Sequence, residues 1–286
     1  MGDSSPFQYL HKDELPTVAP KRLTFGFSPC PNDTFMFDAI VRRAVEIEGV
    51  RIDPVLHDVQ TLNTLAMEAG LDVSKLSFYA WMAVKDTYRL LNSGGAMGFG
   101  CGPVLVARKP LKHEQIRDCR VVLPGAWTTA HLLFRLWAPG ADQRFFVPYD
   151  RIFETVDSGQ ADCGVIIHES RFTFEDAGFR TIVDLGAWWE ERTGLPIPLG
   201  GIAAKKSLGD ALIERIDGAV NASIRQAMAD PEATLPYIRK NAQEMDAAVL
   251  KAHIHTFVND FSLDLEATGR KALDVLESMA KAAGAL

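Results

Sequence analysis

A histidine at the end of an apolar run is the side chain of this sequence best suited to acid–base chemistry. His168 directly follows residues 165–167, which are typical of a buried strand, and it precedes Glu169 and Ser170. Imidazole titrates near neutral pH, so His168 suits the role of a general base. Glu169 or Ser170 could orient the imidazole or contact a substrate. The same pattern also fits a structural histidine that is hydrogen-bonded at a strand end.

The turn at residues 28–33 is a candidate anion site. Ser28 opens it after an apolar strand, two prolines stiffen it, and we expect Asn32 or Asp33 to cap the helix that follows. A helix N-terminus offers free N–H groups and positive potential, so an anionic ligand can bind there. A plain capped turn without a ligand is an equally good interpretation.

A second turn of this kind precedes the helix that we expect to start at Thr128 or Thr129. The paired threonines follow the glycine-containing loop 125–127. Their hydroxyl and N–H groups can hold a carboxylate or a phosphate. The alternative is an ordinary threonine N-cap.

The segment Ser74–Ser77 is a third candidate. Lys75 can offset the charge of an anionic substrate, and Ser77 can cap a helix while it reaches a ligand. Taken alone, however, a single lysine is more often a solvated surface residue.

Other patterns exclude several chemistries. His253 and His255 lie two residues apart, so they face different sides of the expected helix and make a poor metal pair. The sequence contains no Gly-x-Ser-x-Gly elbow, no Walker motif and no dinucleotide-binding glycine fingerprint. Its four cysteines form no CxxC pair, which is typical of reduced thiols in a cytoplasmic protein. We therefore expect no metal and no other cofactor.

Composition narrows the class of partner. The 286 residues carry a formal net charge of −7, which argues against nucleic acid, and no apolar run approaches the roughly 18 residues of a membrane span. Residues 1–20 lack the basic start and apolar core of a signal peptide, and we expect them to form a disordered tail. The expected ligand is a small molecule, and the sequence allows a homodimer.

Strand-like and helix-like segments alternate from Arg22 onward, a pattern that predicts an α/β protein with mostly parallel sheets covered by helices. The alternation restarts at Arg120, and the segment after Asp210 is helical almost throughout. We therefore predict two lobes, with a discontinuous first lobe of residues 21–107 and 201–286 and a second lobe of residues 108–200. Glycine-rich stretches near both crossings fit a hinge, and a ligand would bind between the lobes.

Taken together, these segments resemble the 1,4-dihydroxy-6-naphthoate synthase family over about residues 22–283. The resemblance is carried by Gly26–Phe35, Lys75–Ser77, Thr128–Thr129, Ile166–Thr173, Val183–Pro196 and His253–Asn259. It implies the two-lobed fold of type II periplasmic binding proteins. It also implies a lyase of menaquinone biosynthesis by the futalosine route, which converts cyclic dehypoxanthine futalosine to 1,4-dihydroxy-6-naphthoate without a metal or redox cofactor.

The resemblance also assigns roles to individual positions. His168 matches the family's proton acceptor, and the substrate-contacting positions match Lys75, Leu76, Ser77, Thr128 and Thr129. Further candidates for the cleft wall are Ser28, Asn32, Asp33, Glu169, Ser170 and Arg171. Two alternatives remain at this point: a solute-binding protein of the same fold, and the sister enzyme chorismate dehydratase.

Overall fold

The computed structural model describes residues 19–242 and 246–286, so most of the predicted tail, residues 1–18, lies outside the described residues. Within these ranges the chain forms two β-sheets with helices packed around them. None of the described helices is long and apolar enough to cross a membrane.

The strands are β1 (Lys21–Phe27), β2 (Val50–Leu56), β3 (Val73–Ser77), β4 (Tyr88–Leu90), β5 (Ala96–Gly98), β6 (Val104–Ala107), β7 (Val121–Leu123), β8 (Arg144–Phe146), β9 (Cys163–Ile166), β10 (Arg180–Asp184) and β11 (Ile197–Lys205). The first sheet has the order β2-β1-β3-β11-β4, with β5 paired to β11. The second sheet has the order β10-β6-β9-β7-β8.

The helices are α1 (Pro31–Val41), α2 (Val59–Met67), α3 (Phe78–Val84), α4 (Thr129–Trp137), α5 (Ile152–Asp157), α6 (Ser170–Thr173), α7 (Leu185–Thr193), α8 (Asp210–Ala229), α9 (Leu235–Asn241), α10 (Ala247–Phe257), α11 (Asp260–Leu263) and α12 (Glu266–Ala282). The helical C-terminal segment expected from the sequence is therefore present.

Both sheets are mixed rather than mostly parallel, which corrects the prediction. In the first sheet β1 pairs in parallel with β2 and β3, but β11 runs antiparallel to β3, β4 and β5. In the second sheet β7 is parallel to β8 and β9, whereas β6 is antiparallel to β9 and β10. The antiparallel strands β6 and β11 are the first strands after the two crossings between sheets; no helix lies between β5 and β6, whereas α7 lies between β10 and β11.

The strands also change sheet a few residues away from the predicted boundaries. Strand β6 pairs in the second sheet although it lies before the expected boundary at 107, and β11 joins the first sheet from Ile197 rather than from 201. Near these crossings Gly102 and Gly186 approach each other closely. A Cβ atom on Gly102 would lie 2.3 Å from the Gly186 Cα, so the close approach requires glycine.

The cores of the two sheets are not independent. One buried cluster includes Phe78 and Met97 near the first sheet, Leu105 and Trp189 near the second, and Leu276 on α12. Helix α12 therefore contributes to packing that spans both halves. Shared packing of this kind holds the cleft between the sheets in a defined geometry.

Candidate active site

A cleft of about 720 Å³, including the part open to solvent, lies between the two sheets. Its wall is formed by Ser28, Asn32, Asp33, Val59, Lys75, Leu76, Ser77, Ala96, Cys101, Gly102, Pro103, Thr128, Thr129, Ala130, Ile167, His168, Arg171, Leu199, Gly200 and Phe257. The structure thus brings together all the sequence-predicted site residues except Glu169 and Ser170. These two follow His168 at the start of α6, outside the cleft wall.

The first anion-site candidate, the start of α1, binds a carboxylate of its own. The N-cap is Cys30, with Pro31 at the first helical position, so the expectation that Asn32 or Asp33 is the cap is wrong. Instead the Asp33 carboxylate turns back and accepts hydrogen bonds from the Ser28 N–H at 3.0 Å and from its hydroxyl at 2.7 Å. Because Ser28 donates its proton to Asp33, it is not placed as a nucleophile.

Lys75 is buried, not solvated, and it has a counter-charge. Its ammonium lies 3.2 Å from Asp33 Oδ1 and donates to the Gly94 carbonyl at 3.1 Å. Both side chains are almost fully buried. The charge that a ligand meets here is therefore that of a buried ion pair rather than that of a free cation.

Ser77 presents a hydroxyl whose oxygen is already held in place. Asn63, on α2, donates to Ser77 Oγ at 3.0 Å and accepts from the Ser77 N–H at 2.9 Å. The Ser77 hydroxyl proton remains available to a ligand in the cleft. Asn63 is fully buried and was not recognised from the sequence, since a lone asparagine in an amphipathic helix gives no signal of its partner. Leu76 and Gly200 continue the wall beside Ser77.

The start of α4 differs from the start of α1. Thr128 is the N-cap, and its hydroxyl accepts from the His131 N–H at 3.2 Å and donates to the Gly125 carbonyl at 2.9 Å. The Thr129 hydroxyl donates to the Leu199 carbonyl at 2.7 Å. Both hydroxyls are therefore committed to protein groups. The N–H groups of Thr129 and Ala130 have no acceptor within the helix, and the first turn of α4 contains no acidic side chain.

Arg171 lines the cleft and is held there by two hydrogen bonds. Its guanidinium donates to the Gly102 carbonyl and to Asp184 Oδ2, each at 2.6 Å. Asp184 in turn caps α7 by accepting from the N–H groups of Gly186 and Ala187. Arg171 is thus fixed by the strand crossing that it contacts.

His168 lies in the cleft wall in a strained backbone conformation. Its φ angle is 57°, in the left-handed region that non-glycine residues rarely adopt. Its ring contacts the Tyr149 ring edge at a centroid distance of 5.0 Å and stacks against His253 at 6.1 Å. Burial lowers the pKa of His168, while the Glu169 and Asp33 carboxylates raise it. A neutral imidazole in a cleft is a competent proton acceptor.

His253 lies beside His168, although the sequence indicated it only as a poor metal ligand and as part of a family motif. It is fully buried, and its Nε2 atom lies 3.0 Å from Asn32 Oδ1. Its Nδ1 atom lies 3.9 Å from Glu169 Oε2. Burial lowers the pKa of His253 to about 3, so the ring is neutral at pH 7. A histidine on the same helix face as the apolar residues Leu250 and Phe257 was the available signal.

A discontinuous α/β chain with two sheets and a cleft between them has a periplasmic-binding-protein-like fold. A solved alkanesulfonate-binding protein from Xanthomonas axonopodis pv. citri shares this fold, with a TM-score of 0.68 at 15% identity, covering 94% of this chain and 96% of that one. The predicted fold class is confirmed.

The chain belongs to the menaquinone-biosynthesis family, whose sequence model matches residues 23–282. It is 50% identical over 266 residues to the 1,4-dihydroxy-6-naphthoate synthase of Thermus thermophilus, covering 92% of this chain and 95% of that protein. A crystal structure of an Archaeoglobus fulgidus protein is 32% identical and superposes with a TM-score of 0.88, covering 93% of this chain and 98% of that one. The family resemblance found in the sequence is thereby confirmed.

Proposed function

We propose that this chain converts cyclic dehypoxanthine futalosine to 1,4-dihydroxy-6-naphthoate, as a carbon–carbon lyase of menaquinone biosynthesis. The observation that carries the proposal is the convergence of His168, Ser77 and the start of α4 on one cleft, in a chain that is 50% identical to a 1,4-dihydroxy-6-naphthoate synthase. Each candidate segment had an ordinary structural interpretation when taken alone. Their meeting in one cleft favours the functional interpretation of the set.

The substrate carboxylate binds at the start of α4. The N–H groups of Thr129 and Ala130 lie in the first turn of a nine-residue helix, where the helix dipole favours an anion. Both residues line the cleft. The Ser77 hydroxyl, held by Asn63, supplies a further hydrogen-bond donor. The buried pair of Lys75 and Asp33 contacts the substrate as a polar wall with little net charge.

His168 acts as the general base. Its neutral imidazole accepts the acidic carbon-bound proton of the substrate ring, and the electron pair left behind expels the sugar-derived portion. Aromatisation of the bicyclic product makes the step favourable. The left-handed backbone at His168 costs about 1–3 kcal/mol, and such strain is typical of residues that the surrounding structure holds in place for function.

The test is incubation of the purified protein with cyclic dehypoxanthine futalosine, with the aromatic product followed by absorbance and mass. We expect product from the wild type and a decrease in turnover of about 100-fold or more for His168→Ala, with substrate affinity largely retained. A wild type that forms no product at high protein concentration contradicts the proposed function. Near-normal turnover of His168→Ala removes this residue from the mechanism.

A solute-binding protein and a chorismate dehydratase are the alternatives, and both are less well supported than the lyase. The binding-protein relative is 15% identical, which supports a common fold alone, whereas the synthase relative is 50% identical over nearly its whole length. All four cysteines are buried free thiols, which agrees with a reducing compartment and supports a cytoplasmic location. The same incubation, repeated with chorismate, distinguishes the three.

A further inference from the structure

Two buried acceptor atoms face each other between the lobes, beside the proposed base. Glu169 Oε2 and His253 Nδ1 are 3.9 Å apart, and neither has a hydrogen-bond partner in the described part of the chain. Buried polar atoms without a partner are rare in folded proteins, and each costs about 1–3 kcal/mol. Such a pair calls for a physical reason.

The hydrogen-bond network fixes which atoms of His253 carry protons. The Asp33 carboxylate, paired with Lys75, can only accept, so the Asn32 side chain donates its N–H₂ to Asp33 Oδ1 at 3.0 Å. Asn32 Oδ1 therefore points to His253 Nε2, which must carry the proton of the neutral ring. His253 Nδ1 is then a bare lone pair directed at the Glu169 carboxylate.

A glutamine at position 169 would fit this local geometry better than a glutamate. The side-chain amide has the same shape as the carboxylate, and its N–H₂ could donate to His253 Nδ1. Its carbonyl oxygen could still accept the hydrogen bond that the Tyr149 phenol makes with Glu169. Local hydrogen bonding therefore does not account for the carboxylate, and its negative charge is the property that distinguishes it from an amide.

The cluster that surrounds Glu169 also surrounds His168. Tyr149 bonds with Glu169 and contacts the His168 ring edge, while His253 faces Glu169 and stacks on His168. Both shared neighbours are neutral at pH 7, because burial raises the pKa of Tyr149 and lowers that of His253. The negative charge of Glu169 is therefore not neutralised by the side chains that hold it.

We propose that Glu169 is a positioning residue that places an unneutralised negative charge beside His168 and stabilises the imidazolium formed when His168 accepts the substrate proton. This inference rests on the proposed role of His168 as the base. The proton moves from the substrate carbon to the imidazole, and Glu169 acts through space without a proton transfer of its own. A fixed charge of this kind needs no reorganisation during the reaction.

Other titratable groups around His168 do not replace this charge. The negative charge of Asp33 is offset by Lys75, with which it forms an ion pair, and Asp58 caps α2. Burial raises the pKa of the nearby Cys30 thiol, so it is neutral at pH 7. Among the charged groups that act on His168, Glu169 has the largest effect, followed by Asp33, Lys75 and Asp58.

The experiment titrates the imidazoles directly, by NMR of protein labelled with nitrogen-15 in its seven histidines, with the His168 signal assigned from its absence in His168→Ala. Glu169→Gln is compared with Glu175→Gln, which removes an exposed carboxylate of the same lobe. We expect Glu169→Gln to lower the pKa of His168 by about one pH unit and Glu175→Gln to leave it unchanged. An unchanged His168 pKa in Glu169→Gln overturns the inference.

The pH profile of kcat/KM gives the second readout. In Glu169→Gln the acidic limb should shift to lower pH by the same amount, and the plateau should fall roughly tenfold. A lower plateau with an unshifted limb indicates a merely structural role and contradicts the inference. If Glu169→Gln fails to fold, Glu169→Asp replaces it, because aspartate keeps the negative charge. The acidic limb of the Glu169→Asp profile should then shift by clearly less than about one pH unit, and a shift of a full unit would contradict the proposal. Absence of turnover in the wild type refutes the proposed function, whereas the NMR titration is unaffected.

Discussion

Helices α1 and α4 both begin at the cleft, shortly after a strand. They differ in whether an acidic side chain of the protein lies in the first helical turn. At α1 the third helical residue is Asp33, whose carboxylate binds back to Ser28 and pairs with Lys75. At α4 the corresponding residue is His131, a neutral side chain, and no acidic residue lies in the first turn. One helix start binds its own anion, while the other is left for an anion from outside.

This difference is the reason that we propose the start of α4, and not that of α1, as the site of the substrate carboxylate, although the sequence presented the two as equals. An external carboxylate at α1 would meet Asp33, and like charges at close range repel. At α4 the same carboxylate meets N–H groups and the positive end of the helix dipole. The α1 start instead stabilises the polar chain that runs through Asn32 to His253.

The largest effect is expected at α1. Asp33→Asn leaves the Lys75 ammonium buried without a counter-charge, which should cost about 3–5 kcal/mol of unfolding free energy. Urea unfolding at pH 7 measures this loss of unfolding free energy. The control is Asp53→Asn, which removes the carboxylate of the surface pair with Arg22 and should change stability little. Similar losses in the two variants would show that the α1 carboxylate is not the stabilising partner of Lys75.

One buried, neutral histidine lies near each helix start: His131 in α4, and His253 beside Asn32 of α1. Both should make the stability of the protein sensitive to acid. Burial lowers the pKa of His131 to about 4 and that of His253 to about 3, below the unfolded value near 6.5. At acidic pH the unfolded chain therefore binds more protons than the folded chain. The stability that the two neutral rings contribute is complete above about pH 6.5 and is lost as the pH falls toward their folded-state pKa values.

At pH 5 each of these histidines should account for about 2 kcal/mol of lost unfolding free energy relative to pH 7. Two variants remove the titratable rings but keep their hydrogen bonds. The amide of His131→Asn can still donate to the Ala126 carbonyl, and that of His253→Gln can still donate to Asn32 Oδ1. Each variant should therefore show a smaller difference between unfolding curves at pH 7 and pH 5. A wild-type difference retained in both variants would contradict the assignment of the acid sensitivity to these rings.

The sharpest test of the comparison makes α4 resemble α1. Ala130→Asp places a carboxylate in the first turn of α4, in the cleft wall, where it should repel the substrate carboxylate. We expect KM to rise about tenfold, or ~1.4 kcal/mol of binding free energy, with kcat changed less. Ala130→Asn is the matched control, since it has the same shape without the charge. Equal KM values for the two variants would place the carboxylate elsewhere.

Much of the architecture followed from periodicity. Apolar runs and turn residues located β1 before Ser28, β9 before His168 and α8 from Asp210, because a buried strand or helix needs a continuous apolar face. The direction of the strands could not be predicted from periodicity. The sequence of β11 is equally compatible with parallel and antiparallel pairing, since the choice depends on where the chain re-enters the sheet.

The site was predicted as a set of segments and not as a network. Thr128, Ser77 and His168 were recognised because a residue type at a strand end carries its own signal. Asn63 and His253 were not recognised as site residues, because their partners lie 14 and 221 positions away in the chain. Hydrogen bonds over such separations exist only after the lobes have folded and met.

By itself the sequence determined the kinds of groups available: a histidine at a strand end, helix starts that follow strands, a lysine before a serine, and a family in which these occur together. Only the tertiary structure decided which charges remain unneutralised. It paired Lys75 with Asp33, turned the Asp33 carboxylate back onto Ser28, and set the Glu169 carboxylate against a bare nitrogen of His253. The physical reason is that charge–charge energies depend on distance and burial, which residue order along the chain does not specify.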